Sequence, residues 1–179
     1  MSRSNLQLRR IRWFAAVSIG SAAAVSLVQA ATVTWKTAVS GNWDDGSKWS
    51  TGAMPAAGDT VIINASGTYA VTVNVATSPG ALTLDAATGT ATLTVSAGSL
   101  TMNGPGTVGP GGHLRLDSGS LGGTGDITAS RFTWSGGQIE GAGRLTFPAG
   151  AVVDVMDGGQ HNLRDRTIVN GNYSALILV

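Results

Sequence analysis

Cysteine is absent from all 179 residues. No disulfide can close a loop, so the fold must be held by burial and backbone hydrogen bonding. Charged residues make up only 12% and aromatics 6%. The aromatics are not interleaved with a basic patch, which argues against a nucleic-acid surface. Histidine occurs twice, at His113 and His161, too far apart for a ready-made metal site or a Ser-His-Asp triad. Good helix-forming stretches are few. Glycine, present 26 times, punctuates nearly every short apolar run, which reads as an all-β chain of many short strands.

The sustained apolar run is at the amino terminus. Arg3, Arg9, Arg10 and Arg12 precede an Ala-, Val- and Ile-rich stretch from Trp13 to about Val28, and Val28-Gln29-Ala30 offers the small residues of a cleavage site. This is the pattern of an export signal. The cut is expected after Ala30, with Ala31 as the alternative. The run is short of the roughly 20 residues a membrane helix needs, and Ser18, Gly20, Ser21 and Ser26 dilute it. A mature chain without a membrane span is therefore expected. It keeps seven basic and ten acidic residues, a net charge of −3, so the basic balance belongs to the leader and nucleic acid is excluded as a partner.

The mature chain is long enough for one domain, and an internal repeat organises it. "HLRLDSGSLGGTGDIT" from His113 aligns without a gap on "RFTWSGGQIEGAGRLT" from Arg131, and "LTVSAGSL" from Leu93 and "VDVMDGGQ" from Val153 extend the register. One column reads Leu93, Leu114, Phe132, Val153, and a second reads Val95, Leu116, Trp134, Val155. Gly98, Gly119, Gly137 and Gly158 form a third, and Leu100, Leu121 and Ile139 a fourth that breaks at Gln160. Between the first two columns lie Thr94, Arg115, Thr133 and Asp154, as period-two alternation requires. Units this short cannot bury their own apolar face, but stacked coils share one core. Val71 and Val73 extend the first two columns one coil upstream, and Asp126 and Arg144 share a position that predicts an ion pair between coils. An antiparallel sandwich is the rival architecture; same-sense repeats with matched glycine corners favour the solenoid.

"GNWDDGSKWSTGAMPAAGDTVIINASGTYAVTVN" resembles the entry segment of bacterial surface and autotransporter-like passenger proteins, with paired Trp, then Pro, then Gly-Asp, then a first coil. "FTWSGGQIEGAGRLTFPAGAVVDVMDGGQHNLRDRTIVNGN" is similar to their Trp-x-Gly-Gly repeats. The Pro-x-x-Gly-Asp-x-Val piece also resembles the extracellular domain named for its eight glycines. The resemblance implies a right-handed parallel β-helix, export to the cell surface or bacterial outer membrane, and a non-enzymatic adhesin or structural display role. Host or cell-surface glycans or proteins are the partners it implies, with no cofactor. Members continue to an anchor or translocator; this chain ends in "YSALILV", within a strand-like run, as a shortened member would. The expected organisation is a signal peptide over residues 1–30, a cap over 31–59 and solenoid coils over 60–179.

The chemistry of the residues points the same way. Paired carboxylates that cleave glycosides must face each other across a substrate, and no two acids stack in the aligned coils, so no catalytic residue is assigned. Asp44-Asp45 read as a solvated or turn-forming pair. "NWDDGSKW" lacks the alternate-acid spacing and terminal Glu of a calcium loop, and no metal site is assigned. "GTVGPGG" and "GGTGD" read as corners rather than phosphate cradles. Trp43 and Trp49 remain open to two roles. They are a lid on the exposed end of the core, or a platform on which a sugar stacks. The alternative function is accordingly a carbohydrate-binding or polysaccharide-cleaving β-helix.

Overall fold

The computed structural model describes residues 29–171 and the backbone of residues 177–178. Residues 1–28, on which most of the expected signal peptide falls, and the end of the chain from residue 172, apart from that dipeptide, lie outside the described residues. Every strand pair among the described residues is parallel, and the strands stack into three sheets as a β-solenoid of about five turns. The first face runs from Thr32–Thr34 through Thr60–Ile63, Ala81–Leu84, Gly106–Val108, Ile127–Ala129 and Arg144–Phe147 to Thr167–Asn170. The second runs from Gly41–Asn42 through Tyr69–Val73, Ala91–Val95, Gly112–Leu116, Arg131–Trp134 and Val152–Val155 to Ile177–Leu178. The third holds Ala76–Thr77, Ser99–Thr101, Ser120–Gly122, Gly137–Glu140 and His161–Arg164. Among the described residues no helix is long and apolar enough to cross a membrane.

The register follows the apolar columns. Leu93, Leu114, Phe132 and Val153 are direct neighbours on the second face, as are Val95, Leu116, Trp134 and Val155. Val71 and Val73 precede them at a step of 22. These side chains alternate inward along each strand and form one continuous core. Outward on the first face, Thr83, Thr107, Thr128 and Thr146 stack in consecutive coils. Their stiff β-branched side chains suit a pleated surface.

Two details of the repeat differ from the gapless alignment. Ile139 is followed in its column by Leu163, not Gln160. Eight residues separate Val155 from Leu163, where five separate Trp134 from Ile139. The three extra residues swing the corner around Met156 and Gly158 outward, so Gly158 leaves the glycine column and would meet nothing with an added Cβ. A glycine at the aligned position concealed the insertion. Asp126 and Arg144 do share a register position, but the predicted ion pair does not form. The Asp126 carboxylate instead accepts the Arg144 backbone N–H at 2.8 Å, because the corner presents an amide nearer than the long side chain's charge.

Gly137 combines both demands of a corner. Its φ is +86°, and an added Cβ would land on the Gly119 carbonyl of the preceding coil. Gly137→Ala is therefore expected to cost about 2–3 kcal/mol, from left-handed backbone strain and overpacking together. Gly150 has φ +80° but open space around it, so Gly150→Ala should cost only the strain, about 1 kcal/mol. Urea unfolding of the two variants checks the difference; equal losses would show that the close coil contact is immaterial.

Candidate functional site

The paired tryptophans belong to the start of the rod. Within the 31–59 segment, Thr32–Thr34 and Gly41–Asn42 add a partial coil to the first and second faces. Trp35 and Trp49 form an isolated antiparallel bridge. Their rings meet edge to face at 4.8 Å, and Trp43 meets Trp49 at 4.9 Å. Both Trp43 and Trp49 are 0% exposed. Trp49 Nε1 donates to the Trp43 carbonyl at 2.7 Å, and Trp35 Nε1 to the Val39 carbonyl at 3.1 Å. The loop between them is tied by Asp45, whose carboxylate accepts from the Ser47 amide and hydroxyl. That bond to Ser47 holds the Asp45 carboxyl below its usual pKa. The stacking-platform reading of Trp43 and Trp49 is thus corrected: neither ring presents a face to solvent. The polar sequence around the indoles concealed how completely their own loop and the first coil enclose them.

A second anchor for this segment is Asp59, only 6% exposed. Its two carboxylate oxygens accept from the Ala31 amide at 2.7 Å and the Ala56 amide at 2.8 Å. Sequence inspection identified Gly58-Asp59 only as part of a motif, since its partner at Ala31 is 28 residues away.

A polar concavity of about 560 Å³ runs along the corner between the second and third faces. Its floor is the glycine column Gly98, Gly119 and Gly137, and its walls carry Ser118, Ser120, Gln138, Gln160, Asn162 and Asp117. The bare floor exists because each glycine lies against the backbone of the coil before it. Ser120, Gln138 and Asn162 are stacked neighbours, one per coil. Asp117 is engaged by Arg115 at 2.6 Å, the single ion pair among the described residues. The trough thus offers hydroxyl and amide groups repeated at coil spacing, with Asp117 the one charged side chain in its lining and the Gln138 amide donating to Glu140 at 2.6 Å. Among the described residues no three His, Asp or Glu side chains gather as a metal-binding group. Comparison with family models, with curated proteins and with solved structures found no match for this chain.

The two histidines lie on different faces. His161 sits edge-on to Trp134 and its Nε2 lies 3.1 Å from the Trp134 carbonyl. His113 contacts the Thr133 hydroxyl through Nε2 at 2.9 Å. Burial, and then the neighbouring Arg131 and Arg115 charges, push the His113 pKa below its ordinary value, against a smaller pull from Asp154 and Asp117. A base whose folded pKa is depressed binds its proton first in the unfolded chain. Its contribution is therefore intact above about pH 6.5 and is lost as pH falls from there toward the folded value. Stability should fall on acidification through this window, and less steeply in His113→Gln. Urea unfolding at about pH 7.5 and about pH 5.5 tests it; equal slopes in the two proteins would contradict it.

Sequence reasoning placed Arg166 in a Leu-x-x-Arg stretch but assigned it no role; it is 5% exposed. Its guanidinium donates to the carbonyls of Gly125 at 2.8 Å, Glu140 and Arg144 at 3.3 Å, and Gly123 at 3.4 Å. Its burial lowers its pKa, with Asp126 opposing. The reason for this placement is corner length. Between the third and first faces, Glu140 is followed by three linking residues before Arg144, but Arg164 by only Asp165 and Arg166 before Thr167. Asp165 makes the tight bend at φ +56°, and the Arg166 side chain supplies donors that the shorter backbone cannot. A change in corner length was the available signal.

A second cavity, of about 450 Å³, lies among the last described coils and is lined by Phe132, Trp134, Phe147, Val153, Leu163 and Ile168. Leu163 is 51% exposed although it occupies a core column.

Proposed function

We propose that this chain is a non-enzymatic, exported β-solenoid that serves adhesion or structural display at the cell surface. The observation that carries this reading is the division of labour across the rod. Its apolar residues fill one continuous core closed at the start by three tryptophans. Its outward surface repeats hydroxyl and amide groups coil by coil, gathered in the polar trough. A scaffold of this kind presents the same chemistry at regular intervals to a partner surface, whether glycan or protein. The leader pattern and the absence of cysteine fit export of a chain that folds without disulfides. The sequence resemblance of its entry segment and Trp-x-Gly-Gly repeat to autotransporter-like passengers supports the same reading.

The trough also favours a second reading, a carbohydrate-binding rod, because neutral hydroxyls and amides match a polyhydroxylated chain. A glycan array combined with a reducing-sugar release assay tests both. Retention without release, lost when Ser120→Arg fills the trough, supports binding there. New reducing ends would overturn the non-enzymatic reading. Retention unaffected by the substitution would move binding elsewhere on the rod.

A further inference from the structure

We infer that the leader is cut between Ala30 and Ala31, and that this cut seats the new α-ammonium group of Ala31 on the Asp59 carboxylate. Residue 31 is fixed from both sides: its N–H donates to Asp59 Oδ1 at 2.7 Å, and its carbonyl accepts the Thr60 N–H at 2.8 Å. Residues 29 and 30 are exposed, and the first strand begins at Thr32. The cut adds one water across the Ala30–Ala31 peptide bond. Ala30 leaves with a carboxylate, and the Ala31 nitrogen takes up protons to become an ammonium group. That nitrogen already stands at the distance of a charge-assisted N⁺–H···O⁻ bond.

The geometry also chooses between the two cleavage positions that the sequence allows. A cut after Ala31 would remove both the donor to Asp59 and the acceptor for Thr60. It would leave a shielded carboxylate oxygen without that partner, a costly arrangement. A cut after Ala30 keeps both bonds and converts one of them from neutral to ionic. Asp59 is the sole titratable side chain on the segments packed here, residues 29–34, 55–63 and 78–84.

This assignment gives processing a consequence for stability. The ordinary α-amino pKa is about 7.7–8.0, and pairing with Asp59 raises it in the folded chain. A group with a raised folded pKa contributes fully below its unfolded pKa, and the contribution is lost as pH rises through the folded value. The inference rests on the export reading but not on what the rod binds. Surface labelling of Lys36 reads export separately. A chain that reaches the surface with its leader attached sinks this inference and leaves the functional reading standing.

The test expresses the full chain in an exporting bacterium and reads the amino terminus of the product by mass spectrometry. A start at Ala31 is expected; a retained leader or a start at Thr32 overturns the inference. The product is then unfolded at about pH 6.5 and about pH 9.5, on either side of the ordinary α-amino value. Its folding equilibrium constant should fall about tenfold for each unit by which the pairing raises the pKa. The fall should be absent in Asp59→Asn, and in a chain with one glycine inserted between Ala30 and Ala31, which keeps the cut but displaces the charge. If Asp59→Asn does not fold, the insertion carries the comparison. The same alkaline response in the insertion product as in the natural product overturns the ion pair.

Discussion

Trp49→Ala should lower folding stability by about 3–5 kcal/mol, the range for removing a large aromatic from a core. Trp49 is wholly enclosed, touches the rings of both Trp35 and Trp43, and closes the Trp43 carbonyl with its indole N–H. Its removal opens a cavity and also strands that carbonyl. A domain with about 5–15 kcal/mol in total would lose much of its margin. Trp49→Phe should cost less, because it restores much of the packing and forfeits mainly the hydrogen bond, worth about 1 kcal/mol. Trp43→Ala belongs in the same range as Trp49→Ala. Coupling between the two sites should appear in a double-mutant cycle as about 0.5–1.5 kcal/mol, as for other aromatic pairs. Chemical denaturation checks the three single variants and the double one. A Trp43→Ala or Trp49→Ala protein of natural stability that had lost only glycan binding would return these rings to a ligand platform.

The second large effect concerns Arg166. Arg166→Met should cost about 3 kcal/mol or more, because it keeps an apolar stem but removes a buried charge and leaves several carbonyls without their donor. Arg166→Lys should recover little of this, since a point-charge ammonium cannot span the carbonyls that the planar guanidinium bridges. Rescue by Lys to natural stability would mean that charge alone matters. The loss should also spread unusually far. In a simple solenoid each coil is coupled to its nearest neighbours, but Arg166 bonds carbonyls 41 and 43 residues back, at Gly125 and Gly123. Hydrogen exchange should therefore rise in the Gly123–Gly125 corner as well as around Arg166. Faster exchange confined to the last coil would contradict the long reach.

The columns were legible because sheet alternation and coil repetition mark the same residues twice. Leu114 and Leu116 carry the period of a strand, and their match to Phe132 and Trp134 carries the period of the coil. Corners have no such redundancy. The extra residues around Gly158 and the missing residue at Asp165-Arg166 preserve the flanking strands while changing what lies between them. The Asp59 clamp was hidden for a related reason, since its carboxylate serves backbone amides, and any residue but proline supplies one. For the candidate site, the glycine column was readable and the trough above it was not. The trough depends on which outward side chains of three coils stand next to a bare corner.

Lys36 and Lys48 are the only lysines in the chain, and Lys36 is exposed on the segment that closes the rod. This makes surface location directly measurable with a membrane-impermeant amine-reactive label applied to intact producing cells, followed by mass spectrometry of the protein. A displayed solenoid predicts label on Lys36 before lysis, with cytoplasmic proteins unlabelled. Label on Lys36 only after the cells are broken would contradict the display of this rod at the surface.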